Sequence, residues 1–232
     1  MQDETKNKPS GLPLGFDGPL VIVGGGTLDE LLLRELAAGG AHLVGADGGG
    51  NAIKAAGLVP EAVIGDFDSL DQAGWDSRTR LIHIAEQDTT DFEKVLYSTT
   101  APVTIGLGMT GKRLDHTLAA LDAVARYARE RPIILVDECD IALALTGPFA
   151  FTVDVGARVS VHPLTPTRFF RSTGLKYSLD GLTLAPGVRT GTSNEASAVD
   201  FAIEPATGDE GVYLLILERL RLGALIARLL AG

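Results

Sequence analysis

Two short acidic runs, Gly65-Asp66-Phe67-Asp68-Ser69 and Gln87-Asp88-Thr89-Thr90-Asp91, carry most of the chemistry legible in this 232-residue chain. Each follows an apolar stretch that reads as a buried strand, Ala62-Val63-Ile64 before the first and Leu81-Ile82-His83-Ile84 before the second. In open parallel sheets, ligands collect at the carboxyl ends of the strands. Asp66 and Asp68, two apart on an extended segment, point to the same side. Carboxylates gathered there repel one another unless a cation compensates, and hard oxygen ligands suit Mg²⁺. A carboxylate-held Mg²⁺ in turn suggests phosphate chemistry on a nucleotide. Asp88 and Asp91 also read as helix N-terminal acids favoured by the macrodipole, and both readings can hold together.

Three further runs belong with these. Asp47-Gly48-Gly49-Gly50-Asn51 places an acid at a strand end, then glycines that let backbone approach a ligand; an Asx-type turn is the plainer reading. Gly111-Lys112-Arg113 with Asp115-His116 offers two cations and an acid beside a glycine turn. Arg113 has the fork to clamp phosphate oxygens and Lys112 adds a point charge, whereas a merely exposed basic turn would use the same residues. Gly24-Gly25-Gly26 fits neither a dinucleotide fingerprint nor a Walker loop; a plain strand-to-helix turn is the first reading and an anion-facing loop the second.

The elements needed to position these runs are themselves legible. Strands at Leu20–Val23, His42–Ala46, Ala62–Ile64, Leu81–Ile84, 103–107 and Ile133–Val136 alternate with helices. The helices are expected after residue 27 (with Leu31, Leu32, Leu33 and Leu36 facing inward), before Gly57, over 91–99 and over 115–129. That alternation predicts an α/β domain with a mostly parallel sheet over residues 19–145. From about 148 the texture changes to short runs bounded by Gly, Pro and Asp, including Leu175–Leu179, which predicts a smaller antiparallel β-sandwich domain over 146–232. Leu220, Leu225, Ile226, Leu229 and Leu230 predict a closing amphipathic helix. Residues 1–18 read as a flexible N-terminal arm.

Composition narrows the function classes. A net charge of −10 argues against a nucleic-acid or membrane-surface binder. Hydrophobic residues make up 45% of the chain, enough for a substantial core, and no apolar run reaches the length of a membrane span. The single cysteine, Cys139, excludes an internal disulfide. A cytoplasmic location is the default expectation.

Read in order, Ala46–Asn51, Gly65–Ser69, Gln87–Phe92, Arg113–His116, Ser172–Tyr177 and Thr192–Glu195 resemble the motif series of the thiamine pyrophosphokinases (thiamine diphosphokinases). The resemblance runs from about residue 20 to 217. It implies an α/β catalytic domain followed by a β-sandwich, a homodimer, and transfer of a pyrophosphoryl group from ATP to thiamine, giving thiamine diphosphate and AMP. It implies Asp66, Asp68 and Asp91 as Mg²⁺ and phosphate-site acids, with Asp47 and Asp88 nearby. Gln87 would contact the phosphates, and Arg113 with Asp115 would complete the nucleotide side; Gly48, Gly49, Asn51, Thr90 and Lys112 are further candidate nucleotide contacts. Ser193 and Asn194 would hold the thiamine pyrimidine across the subunit interface, with Tyr177 beside it. One Asp would accept the proton of the thiamine hydroxyl. Two positions depart from the family: Lys112 stands where a second glycine is usual, and Tyr177 where Trp is common. Two other readings compete: a Mg²⁺-dependent kinase or pyrophosphokinase for another small alcohol, and a catalytically idle thiamine- or nucleotide-binding module.

Overall fold

The structure, a computed structural model, describes residues 11–232. It resolves into two compact units, one running through Ala120 and the other from Leu121. The domain boundary expected from the sequence lies at 145/146.

The first unit contains β1 (Leu14–Gly15), β2 (Leu20–Val23), α1 (Glu30–Ala38), β3 (His42–Ala46), α2 (Gly49–Ala55), β4 (Ala62–Gly65), β5 (Arg80–His83), α3 (Asp91–Ser98), β6 (Thr99–Thr100) and β7 (Thr104–Leu107), followed by α4 (Leu114–Tyr127), which carries the boundary. Strands β7, β2, β3, β4 and β5 pair in that order, all parallel. Strands β2, β4 and β7 are buried along their whole length, as expected where a parallel sheet is covered on both faces. Their carboxyl ends release the Gly24, Gly65 and Gly108 turns. α1 starts where the Asp29 side chain accepts from the Leu32 amide and stops at Gly39-Gly40. Only Leu33 of its leucines is buried, while Leu31, expected to face inward, is exposed. Neighbouring residues on a helix lie about 100° apart, so three consecutive leucines cannot share one face.

The expected N-terminal arm falls partly outside the described residues. Within them, Leu14–Gly15 pair parallel with β6, and the Phe16 amide donates to the Thr100 carbonyl at 2.9 Å.

The second unit is antiparallel. Strands β8 (Ile133–Val136), β9 (Asp140–Leu145), β15 (Tyr213–Glu218) and β11 (Ser160–Pro163) form one ladder. A second is built from β10 (Phe149–Thr152), β14 (Asp200–Pro205), β12 (Thr167–Thr173) and β13 (Thr183–Leu184). β9 turns back on β8 and pairs with it antiparallel. Leu175–Leu179 is not a strand. Leu175 makes a single bridge to Ala196, Lys176 and Tyr177 form a bend, and Ser178 and Leu179 are irregular. The chain closes with a 3-10 turn (Arg219–Arg221) and α5 (Leu222–Ala231); Leu225 is buried, but Leu220, expected inside, is exposed because it lies in that turn. The fold class is thus the expected one, parallel α/β followed by antiparallel β. No helix among the described residues is long and apolar enough to cross a membrane.

Candidate active site

At the carboxyl end of the parallel strands lies a cavity of about 250 Å³, bounded by the Gly24–Gly26 loop, the Asp47-Gly48 turn, the start of α3 and the Gly108–Arg113 loop. The glycine loops are there because two stretches of backbone meet. The Gly26 amide donates to the Gly108 carbonyl at 2.8 Å, and a Cβ on Gly26 would sit 2.5 Å from that oxygen. Gly49 answers a different need. Its Cβ would fall 1.8 Å from the Val23 carbonyl oxygen, so this glycine lets α2 pack on β2 and does not face a ligand.

Asp47 follows directly on β3 with φ of 44°, a left-handed conformation that Asp tolerates better than most residues. Its amide donates to the Ile64 carbonyl at 2.9 Å, and its Oδ2 accepts from the Ser69 amide at 3.0 Å. Its Oδ1 is buried with no hydrogen-bond partner among the described residues. Burial raises the Asp47 pKa above the usual carboxylate value, and the nearby charges of Asp91 and Asp68 push the same way against the Ser69 and Gly48 amides. Asp66 behaves oppositely. A 2.6 Å hydrogen bond from Gln87 Nε2 lowers its pKa, helped by the Asp68 amide and by Lys94. Between the two acids Phe67 sits at φ of 66°, its ring centroid 5.3 Å from that of His83, while His83 Nε2 lies 3.1 Å from the Asp66 carbonyl. A bulky residue in this region of φ is strained and persists only where its surroundings enforce it. Here it turns Asp66 and Asp68 toward Asp47, so that carboxylate oxygens of Asp47, Asp66 and Asp68 all lie within 4.8 Å of one another. Asp47 belongs both to this group and to the cavity lining.

Three carboxylates at this spacing with one buried oxygen unsatisfied fit a hard divalent cation such as Mg²⁺. The trio differs from the expected Asp66, Asp68 and Asp91. Asp91, at the first position of α3, lines the cavity but pairs with Lys94 at 3.0 Å. Thr90 caps α3, its hydroxyl accepting from the Glu93 amide, and it also lines the cavity. Gln87 and Asp88 do not line it. Gln87 acts on Asp66, and the Asp88 amide is held by Glu86 Oε2 at 2.7 Å. Asn51 ties α2 to the 69–71 loop, its amide donating to the Ser69 carbonyl at 2.8 Å and its oxygen accepting from the Asp71 amide at 3.0 Å.

On the basic side, Lys112 and Arg113 line the cavity. Lys112 takes φ of 50°, which accounts for glycine being the comfortable residue there, and its Nζ donates to the Gly25 carbonyl at 3.1 Å. Arg113 is forked onto Asp115, at 3.1 and 2.5 Å, with both side chains exposed. Asp115 thus orients the guanidinium and lies outside the cavity lining. Sequence reasoning missed Lys94, Ser69 and Glu86. Lys94 had one available signal, its placement three residues after Asp91 on a helix.

The expected thiamine residues belong to the second unit. Tyr177 is 61% exposed, with Lys176 Nζ 5.8 Å from its ring centroid. Asn194 is buried, and its side chain is spent on backbone: Oδ1 accepts from the amides of Tyr177 (3.0 Å) and Glu195 (2.9 Å), while Nδ2 donates to the Tyr177 carbonyl at 2.7 Å. Ser193 is exposed at φ of 59°, its amide donating to Ser160 Oγ at 3.0 Å.

A sequence model of the thiamin pyrophosphokinase catalytic domain matches residues 33–136. The chain is similar to thiamin pyrophosphokinase 1 of Caenorhabditis elegans, 29% identical over 60% of this chain and 63% of that protein. It is also similar to thiamine pyrophosphokinase 1 of Arabidopsis thaliana, 28% identical over 62% of this chain and 61% of that protein. The match therefore spans under two thirds of these relatives. Among solved structures, the thiamin pyrophosphokinase of Geobacillus thermodenitrificans superposes with a TM-score of 0.71 at 28% identity, covering 86% of this chain and 97% of that one. That of Candida albicans gives 0.70 at 17% identity, covering 87% and 89%, a likeness of fold.

Proposed function

We propose that this chain, which belongs to the thiamin pyrophosphokinase family, transfers the pyrophosphoryl group of ATP to the hydroxyl of thiamine, releasing AMP. The observation that carries this reading is the Asp47–Asp66–Asp68 group, with its unsatisfied buried oxygen, set on a cavity whose other rim bears Lys112 and Arg113. Acids on one side and cations on the other suit a metal–polyphosphate, which needs both.

In this scheme Asp47, Asp66 and Asp68 would hold Mg²⁺, which would supply positive charge for the phosphate oxygens. Gln87 and the Asp68 amide fix the Asp66 carboxylate so that it need not reorganise during the reaction. Arg113, held by Asp115, grips phosphate oxygens in its fork, and Lys112 adds charge from the adjoining turn. The exposed Gly25, with nothing near the place a Cβ would take, leaves room for a phosphate at the loop. One carboxylate of the site accepts the proton of the thiamine hydroxyl. In the second unit, Asn194 positions the Tyr177 ring while Ser193 stays free to contact the pyrimidine. A homodimer would place that surface at the subunit interface, and the cationic thiazolium suits an acidic site.

The test is to incubate the protein with ATP, Mg²⁺ and thiamine and identify the products by mass. Thiamine diphosphate with AMP is the expected result. Thiamine monophosphate with ADP would overturn the transfer of two phosphates, and no product from folded protein would overturn thiamine as acceptor.

A further inference from the structure

Lys94, on α3, is 2% exposed, more deeply buried than Asp47 at 3%. An ammonium taken that far from water must be compensated by nearby carboxylates. Its Nζ stands 3.0 Å from Asp91 Oδ1 and 4.0 Å from Asp66 Oδ2. The acids on either side come from different segments, the start of α3 and the turn after β4. They are two of the three that the resemblance nominates as joint metal ligands.

The two sides of Asp66 are unlike. Oδ2 receives Gln87 Nε2 at 2.6 Å and has the Lys94 ammonium beyond it. Oδ1 receives the Asp68 amide, at 3.2 Å. On the Asp47 side a buried oxygen still lacks a partner, whereas on the Asp91 side a protein cation already sits between the carboxylates. A divalent ion entering between Asp66 and Asp91 would meet that ammonium at contact distance, with little water to screen the repulsion.

We propose that Lys94 is a built-in cation in place of a second divalent ion between Asp66 and Asp91, so that the protein alone takes up a single ion at Asp47, Asp66 and Asp68. This rests on the metal reading above. Asp91 is then a lysine-paired acid lining the cavity, not a ligand in the free protein, and any further ion arrives with nucleotide phosphates as its ligands. Lys94 is a positioning residue: it sets how many ions the acids accept and where.

The experiment is a Mn²⁺ titration of the full chain without nucleotide, following the electron paramagnetic resonance signal of free Mn²⁺. One bound ion per wild-type chain is expected, rising to two in Lys94→Met. Two ions in the wild type, or an unchanged single ion in folded Lys94→Met, would overturn the role of Lys94 and leave the metal reading standing. No bound Mn²⁺ in the wild type would overturn both. Should Lys94→Met fail to fold, Lys94→Gln keeps a donor toward Asp91 without the charge and takes the same count. Should neither fold, the wild-type count decides. The product assay is read separately, so failure here and failure of the proposed activity are distinguishable.

Discussion

The acid-lined cavity of the first unit and the Tyr177–Asn194 surface of the second handle their polar groups in opposite ways. In the first, three like charges crowd within 4.8 Å and a buried oxygen of Asp47 is left without a partner. In the second, Asn194 makes three side-chain hydrogen bonds to backbone, Lys176 pairs with Glu195 at 3.1 Å, and the Ser172 amide donates to Asp180 at 2.6 Å. Native proteins seldom leave buried polar atoms unpaired, so the first region is arranged for something added to it. The second is arranged to hold a shape, and what it offers a ligand is the exposed ring of Tyr177 and the Ser193 hydroxyl.

That contrast can be broken most severely at Asp68. Asp68→Asn removes one charge of the proposed metal group at an exposed position. Turnover should fall about 100-fold or more with an unchanged or higher melting temperature, measured on the same preparation. A near-normal rate would remove Asp68 from the metal group. Asn194→Ala should do the reverse. It strips three backbone groups of their partner, so stability should drop by roughly 1–3 kcal/mol in a denaturant titration. The thiamine KM should rise more than the ATP KM, and equal rises would count against a thiamine role. Lys112→Gly sharpens the comparison within the cavity itself. Relief of the left-handed backbone should add about 1 kcal/mol of stability, while the lost cation should weaken ATP binding more than AMP binding in calorimetry.

The smallest expected effect lies at the amino end of β3, far along the strand from the acids. His42 Nδ1 is 2.9 Å from Glu61 Oε1, and this bond raises the His42 pKa above 6.5, with Asp17 adding to it. A raised histidine pKa means that the folded state holds the proton more tightly. The stability it contributes is complete below about pH 6.5 and is lost as pH rises through the folded value. Both partners are partly exposed, so the amplitude should stay under about 1 kcal/mol. Glu61→Gln should flatten the slope of stability against pH across that window, while an unchanged slope would assign it elsewhere.

Much of the first unit was legible because its signals are local. β2, β3 and β4 are continuous apolar runs, glycines mark their carboxyl ends, and acids at such ends stand out against the apolar run before them. Leu31 and Leu220 were misjudged for a local reason too, since apolar residues crowded in sequence must spread around a helix or spill into a turn. Asn51 and Gly49 read as ligand-facing because they adjoin Asp47. Their actual partners, the 69–71 loop and the Val23 carbonyl, are distant in sequence.

Taken alone, the amino-acid sequence determined the class of fold, the order of the motifs and the strand ends that bear acid, since hydrophobic period and turn chemistry act over a few residues. Only the tertiary structure decided which acids form the group. Asp47 enters it because β3 and β4 are adjacent, while Asp91 pairs with the buried Lys94. Charge interactions depend on distance through space and on the loss of water, and neither is written in the spacing along the chain.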